Sequence, residues 1–266
     1  MSISTIKKDY LVKLSKEGRR VDDRKFDEYR PIKIKKGIIG MAEGSAQVEL
    51  GNTVVLAGIK MLLGEPYPDS PDKGVLVTAA ELIPLASPTF ESGPPRENAI
   101  ELARVVDRGI REAKVIQLDK LCIEPNEKVW VVFMDLHILD YDGNLFDACS
   151  LAALSALNTT IIPNERFELG KNEPLPLDES PISCTFVKYG DAIVIDPSLD
   201  EEEVADARLT ISLDKEGSVR AIQKGLKGTF TVKEIETITK IAQEQVKKIR
   251  KFLGDKDGKN KKEKKG

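Results

Sequence analysis

Residues Glu127–Leu157 read EKVWVVFMDLHILDYDGNLFDACSLAALSAL, and this stretch decides the fold. Glu127–Leu139 is apolar on both faces, which predicts a strand lying centrally in a sheet. Tyr141-Asp142-Gly143-Asn144 supplies a turn. Leu145–Leu157, rich in Ala and Leu, then predicts a buried helix. The unit is a central strand, a tight turn and a helix that needs cover on all sides.

Working upstream, Tyr29–Lys35, Ser45–Leu50 and Thr53–Leu62 carry strand patterns, and Gly51-Asn52 joins the last two as a two-residue hairpin turn. Gly64–Lys73 is a surface loop, Val75–Ala86 an apolar stretch, and Ser87–Pro95, with three prolines, an irregular segment. Arg96–Lys114 lacks proline and predicts a helix, and Leu118–Ile123 predicts a strand. At the start, Ile6–Leu14 has helical spacing and ends near Gly18, ahead of a charged loop at Arg19–Arg24. Downstream of a polar linker, Asn164–Pro176, come strands at Ile182–Tyr189, Ala192–Asp196, Ala207–Leu213 and Ser218–Gln223, then a long helix at Val232–Leu253. Strands joined by tight turns and followed by helices, twice over, imply an α+β layered fold and not a doubly wound parallel sheet. The expected organisation is a single domain over residues 1–253, with an N-terminal helix at about 5–17 and two β-α halves, plus a disordered Lys-rich tail at 254–266.

Composition narrows the function. The 266 residues are 41% hydrophobic and 32% charged, enough for a core under a charge-dense surface. No apolar run is long enough to span a membrane, and Met1–Asp9 has no apolar signal core, so a cytoplasmic protein is expected. Cys122, Cys149 and Cys184 are widely spaced and form no metal motif. The net charge of −3 comes from 41 basic and 44 acidic residues. Asp255–Lys265 alone holds six lysines and three acids, which leaves −6 for the rest. Affinity for nucleic acid therefore depends on where cations cluster and not on the total. With a single histidine, schemes that need two are excluded.

Several patterns bear on chemistry. There is no Walker A loop, and Gly37, Gly40 and Gly44 lack the helix that would aim amides at phosphate. Lys224-Gly225-Leu226-Lys227-Gly228 is expected to be a loop before the last helix. His137, beside Asp135, is either a proton shuttle or a satisfied core or interface histidine; the second is favoured because no nucleophile accompanies it. The acidic run Asp196–Asp206 is either a divalent-cation site or a solvated charged loop or cap. On the helix Arg96–Lys114, Leu102, Ala103, Val105, Val106, Ile110 and Ala113 form one face. Arg104, Arg108 and Arg111, at i, i+4 and i+7, form a stripe opposite. Such a stripe suits successive phosphates, or else pairs with Glu97, Glu101, Asp107 and Glu112.

The segment Glu91-Ser92-Gly93-Pro94-Pro95-Arg96-Glu97-Asn98-Ala99-Ile100-Glu101-Leu102-Ala103-Arg104-Val105-Val106-Asp107-Arg108 closely resembles the RNase PH-type subunits of the archaeal exosome. Gly18–Arg24, Gly51–Gly58 and Leu139–Asn144 resemble them too, so the likeness spans about residues 5 to 250. It implies the RNase PH fold, two β-α halves of a kind also seen in a ribosomal-protein-like superfamily. It further implies membership of a six-membered ring, a trimer of heterodimers, in which catalytic and non-catalytic subunits alternate. The ring degrades single-stranded RNA by 3′→5′ phosphorolysis and carries RNA-binding cap subunits.

Catalytic members of that family place a Gly, hydroxyl residues and Arg just after the Asp-Gly turn, where a helix N-terminus holds phosphate. Here that place reads Asn144-Leu145-Phe146-Asp147-Ala148. The family's acidic catalytic motif is also altered, to Glu201-Glu202-Glu203-Val204-Ala205-Asp206-Ala207-Arg208, with at most Asp206 kept. The resemblance therefore points to the non-catalytic subunit, with no catalytic residue, no metal and no cofactor of its own. Arg104 and Arg108 match positions that help hold the RNA 3′ end beside the catalytic partner, with Arg111 a weaker addition. The alternative is an exoribonuclease active in its own right.

Overall fold

The computed structural model describes residues 2–178 and 180–253. The elements run α1 (Ser2–Lys16), β1 (Ile32–Lys36), β2 (Gly44–Leu50), β3 (Thr53–Gly64), β4 (Val75–Leu82), α2 (Glu97–Glu112), β5 (Cys122–Glu124) and β6 (Lys128–Asp140). They continue with α3 (Leu145–Leu157), β7 (Ile161–Ile162), β8 (Glu173–Pro174), β9 (Ile182–Tyr189), β10 (Ala192–Ile195), α4 (Leu199–Val204), β11 (Ala207–Leu213), β12 (Val219–Gly225) and α5 (Val232–Leu253). The lysine-rich segment 254–266 lies outside the described residues.

Gly51, at φ 57°, closes the hairpin that pairs β2 with β3 antiparallel, so Leu50 faces Thr53. β3 alternates buried and half-buried residues along most of its length, the period-two pattern of a strand covered on one face. The first sheet has the order β1-β2-β3-β6-β4, with β5 also pairing β6. Its pairs are antiparallel except β4 with β6, which run parallel. Tight turns cannot join parallel neighbours, and the crossover from β4 to β6 is the long segment that contains α2. The second sheet, β10-β9-β11-β12, is antiparallel throughout.

The helix α3 forms over the residues its composition predicts, and every residue from Phe146 to Leu157 is buried. It packs on β2 and β3 of the first sheet and on β9 of the second, so one continuous apolar core joins both halves. The helix α5 covers β9 and β11, with Ile238, Ala242, Val246, Ile249 and Leu253 inward. The predicted strand Leu118–Ile123 is corrected: Leu118–Leu121 is a turn of 3₁₀ helix, and the strand begins at Cys122. Leu118 and Leu121 sit three apart, which suits a three-residue period and brings Leu121 into the core while Asp119 and Lys120 stay exposed.

The loop after α1 is fastened to the second half by charge. Arg20 is fully buried and donates to Glu201 through Nε (2.9 Å) and Nη2 (2.6 Å). Arg20 also donates to the carbonyls of Ile195 (3.0 Å) and Asp196 (2.9 Å). Glu201 in turn closes a capping box with Ser198 at the start of α4. Removing one partner of such a pair strands the other charge out of water. Arg20→Met is therefore expected to lower stability by about 3–5 kcal/mol in urea unfolding, and Arg20→Met combined with Glu201→Leu to recover most of that loss. Equal stability of the single variant and the parent protein would count against a structural role for the pair.

Candidate nucleic-acid interface

Helix α2 starts after the proline-containing loop and buries Ala99, Leu102, Ala103, Val106, Gly109 and Ile110. At Gly109 a Cβ would lie 3.7 Å from Ser212 Oγ, an ordinary van der Waals contact, so the helix lies against the second sheet here. On the other face Arg104 and Arg108 are exposed, and neither makes a hydrogen bond or ion pair among the described residues. They line an open hollow of about 660 Å³ with Glu97, Ile100, Glu101 and Gln223. Arg111 behaves differently: its guanidinium pairs with Asp107 at 2.5 Å and donates to the Leu76 carbonyl.

Two acids of this helix, Glu101 and Asp107, are held by other groups, while Glu97 and Glu112 line the same hollow as the two arginines. Glu101 accepts from Arg208 of β11 at 2.6 Å. Asp107 accepts from Thr78 Oγ1 at 2.9 Å as well as from Arg111. Pairing within the helix, which the sequence left open, thus holds for Arg111 and not for Arg104 or Arg108. Two like charges four residues apart repel each other slightly. An exposed stripe of this kind suits a polyanion.

Beneath this helix lies the N-terminus of α3, where backbone N–H groups would receive an anion. Gly143 has φ 87°, and a Cβ there would sit 2.5 Å from the Pro197 carbonyl oxygen, so only glycine fits. Asn144, also left-handed at φ 55°, caps the helix and is fully buried. Its Nδ2 donates to Asp147 at 2.9 Å and to Asp196 at 2.7 Å.

Asp147 is fully buried and accepts from Tyr29 Oη (2.7 Å), Thr185 N (2.9 Å) and Thr185 Oγ1 (2.8 Å). Burial pushes its carboxyl up to about 6 despite these donors. Glu202 accepts from Asn144 N (3.0 Å) and Tyr141 Oη (2.8 Å), and burial raises its carboxyl too. Asp196 is buried as well. Burial alone would raise its carboxyl, but hydrogen bonds and charge from Arg30, with Arg24 behind, hold it below the usual range. Three carboxylates thus gather around Asn144 at the start of this helix.

The acidic run Asp196–Asp206 includes a helix cap, as one sequence reading had it, with Glu201 closing the capping box of α4. Asp196, Glu201 and Glu202 point inward to arginines and hydroxyls. Asp200, Glu203 and Asp206 pair with Lys7 and Lys8 of α1. Among the described residues no group of three His, Cys, Asp or Glu side chains is disposed to hold a metal ion. His137 is not the core residue that one half of the favoured reading allowed: it lies on the outer face of β6, 41% exposed, with Nδ1 3.1 Å from Glu81. The alternation that turns Met134, Leu136 and Ile138 inward turns Asp135 and His137 outward. Lys224 and Gly225 end β12, where a loop was expected, and residues 226–228 begin the connection to α5. The buried arginines Arg20, Arg24 and Arg30 were not identified as functional residues from the sequence. Arg20 and Arg24 lie in the charged block Gly18–Arg24, one of the stretches that carried the resemblance, and Arg30 lies in the predicted strand Tyr29–Lys35.

Fold and site define a class. Residues 28–163 match the 3′ exoribonuclease family, domain 1, and residues 179–245 match domain 2 of the same family, so the chain belongs to the RNase PH family. Among its relatives, the exosome complex component Rrp42 of Methanocella arvoryzae is 54% identical over 251 residues, covering 94% of this chain and 96% of that protein. The exosome complex component Rrp42 of Thermococcus gammatolerans is 53% identical, covering 93% and 94%. A chain of the Archaeoglobus fulgidus exosome with RNA bound to the active site superposes with a TM-score of 0.91 at 49% identity, covering 94% and 99%. Among the described residues no helix is long and apolar enough to cross a membrane.

Asp147 makes stability depend on pH. Its carboxyl titrates at about 6 in the folded chain against an ordinary value of 3.8. Between those values the native state binds the extra proton, so stability falls as pH rises and the penalty is complete above pH 6. The interval corresponds to roughly 3 kcal/mol. Relative to Asp147→Asn, the parent chain is expected to lose up to about that much stability across the window. Unfolding free energies at a series of pH values check this; a difference that stays flat with pH refutes it.

Proposed function

We propose that the chain is the non-catalytic subunit of an archaeal RNA exosome. In this reading it alternates with a catalytic RNase PH-type subunit in a hexameric ring of three heterodimers, in the cytoplasm, beneath RNA-binding cap subunits. It helps to shape the partner's active site and offers Arg104 and Arg108 to single-stranded RNA on its way to 3′→5′ phosphorolysis. Residues 1–253 act as a single domain of two β-α halves.

One observation carries the non-catalytic assignment. At the N-terminus of α3, where an attacking phosphate needs amides, hydroxyls and cations, this chain has buried Asp147 with Glu202 and Asp196 around it. A phosphate anion brought there meets carboxylates already using the local donors, and repulsion in a low-dielectric site is severe. The RNA role is supported by two exposed, unpartnered arginines on one helical stripe. With no aromatic platform lining that hollow, contact would be to the RNA backbone and tolerant of sequence.

Incubated alone with RNA, inorganic phosphate and Mg²⁺, the purified chain is expected to release no nucleoside diphosphate; release at a catalytic rate refutes the assignment. Mixed with a catalytic RNase PH-type subunit, it should form a hetero-oligomer by light scattering, and separate species would count against the ring. In the assembled ring, changing Arg104 and Arg108 to Ala should weaken RNA binding for all sequences alike. The logarithmic salt slope should fall by about 0.7 per arginine. Unchanged affinity and slope would reduce the chain to a spacer.

A further inference from the structure

We propose that Arg208 is a positioning residue: by holding Glu101 against the second sheet, it keeps Arg104 uncompensated and open to phosphate. The proposal rests on the RNA-binding role assigned above. Glu101 lies three residues before Arg104, and on a helix this spacing puts a carboxylate within reach of the guanidinium. An acid there would neutralise the arginine that RNA needs. Glu101 instead gives its Oε1 to Arg208 Nη2 at 2.6 Å.

Arg208 is built for that grip. Its guanidinium carbon lies 4.2 Å from the centre of the Phe146 ring. Its other flank lies against Gly225 of β12, where a Cβ would come within 2.7 Å of Nη2 and 3.0 Å of Cζ. The side chain is only 16% exposed, so it is already immobilised and partly shielded from solvent. A carboxylate choosing between this guanidinium and the exposed one of Arg104 therefore favours Arg208. The same arrangement recurs on the other side of Arg104. Asp107, three residues further on, is held by Thr78 at 2.9 Å and Arg111 at 2.5 Å. Both acids within reach of Arg104 along its helix are thus taken up by other groups, two of which lie outside the helix.

Releasing Glu101 should cost RNA affinity as though Arg104 itself were lost. The test uses the chain assembled with its catalytic partner and a fluorescent oligoadenylate, titrated at several salt concentrations. Arg208→Met removes the grip and keeps bulk over Phe146. Gly225→Ala displaces the guanidinium without altering charge, and so serves should Arg208→Met fold poorly. Each is expected to weaken binding by about three- to tenfold and to lower the salt slope by about 0.7. Adding Glu101→Gln should restore affinity in both, because the freed carboxylate is the damaging group. Combining Arg208→Met with Arg104→Ala should add little to either alone. Loss without rescue by Glu101→Gln would reduce Arg208 to a structural brace and overturn the proposal. So would parent-like binding by both grip variants while Arg104→Ala weakens it. Parent-like binding by Arg104→Ala would instead remove the RNA role on which the proposal rests.

Discussion

Asp147, a carboxylate buried at the first turn of α3, is the interaction on which the rest of the molecule depends. It receives hydrogen bonds from the segment before β1 through Tyr29, from the turn before α3 through Asn144, and from β9 through Thr185. Asn144 extends the contact to Asp196, which holds Arg24 and Arg30. Segments far apart in sequence therefore meet over one charged group. In a low-dielectric interior such a network is rigid when every member is satisfied and expensive when one is missing. At this helix end the protein's own acids, Asp147, Glu202 and Asp196, gather around Asn144.

Other charges act elsewhere in the chain. In the second sheet, Arg208, Thr210 and Ser212 alternate on β11 with Leu209, Ile211 and Leu213. The first set meets Glu101 of α2, Thr185 and Ser183. The apolar set belongs to the core that α5 covers. A single strand thereby joins the apolar core to the acid side of the arginine helix. Charge segregation follows: acids pair inward or sideways, and two arginines remain in water. The net charge of −3 conceals this, because a sum carries no information about where pairs form.

Much of the fold was legible. α3 and α5 occupy the residues their patterns predicted, since a helix apolar all round and a helix with one apolar face each have a single way to be buried. The hairpin at Gly51 was equally plain. The parallel pairing of β4 with β6 was not legible, because local pattern says nothing about which strand lies beside which. The core option for His137 failed for a related reason: an apolar strand shows its outer face only once its neighbours are known. The partners of the acidic run were hidden because a carboxylate looks the same in sequence whether water or an arginine surrounds it.

The sequence by itself determined the two strand-and-helix halves, the arginine stripe on α2, and the lack of phosphate-binding residues after the Asp142-Gly143 turn. Those depend on residue type and short-range spacing, which periodicity exposes directly. Only the tertiary structure decided which charges remain free. Arg104 and Arg111 look alike in the chain, yet Arg111 is paired and Arg104 is not. That difference arises from Arg208, Thr78 and Leu76 arriving from other strands. Charge compensation is a through-space interaction that falls with distance, and distances between remote residues exist only once the chain has folded.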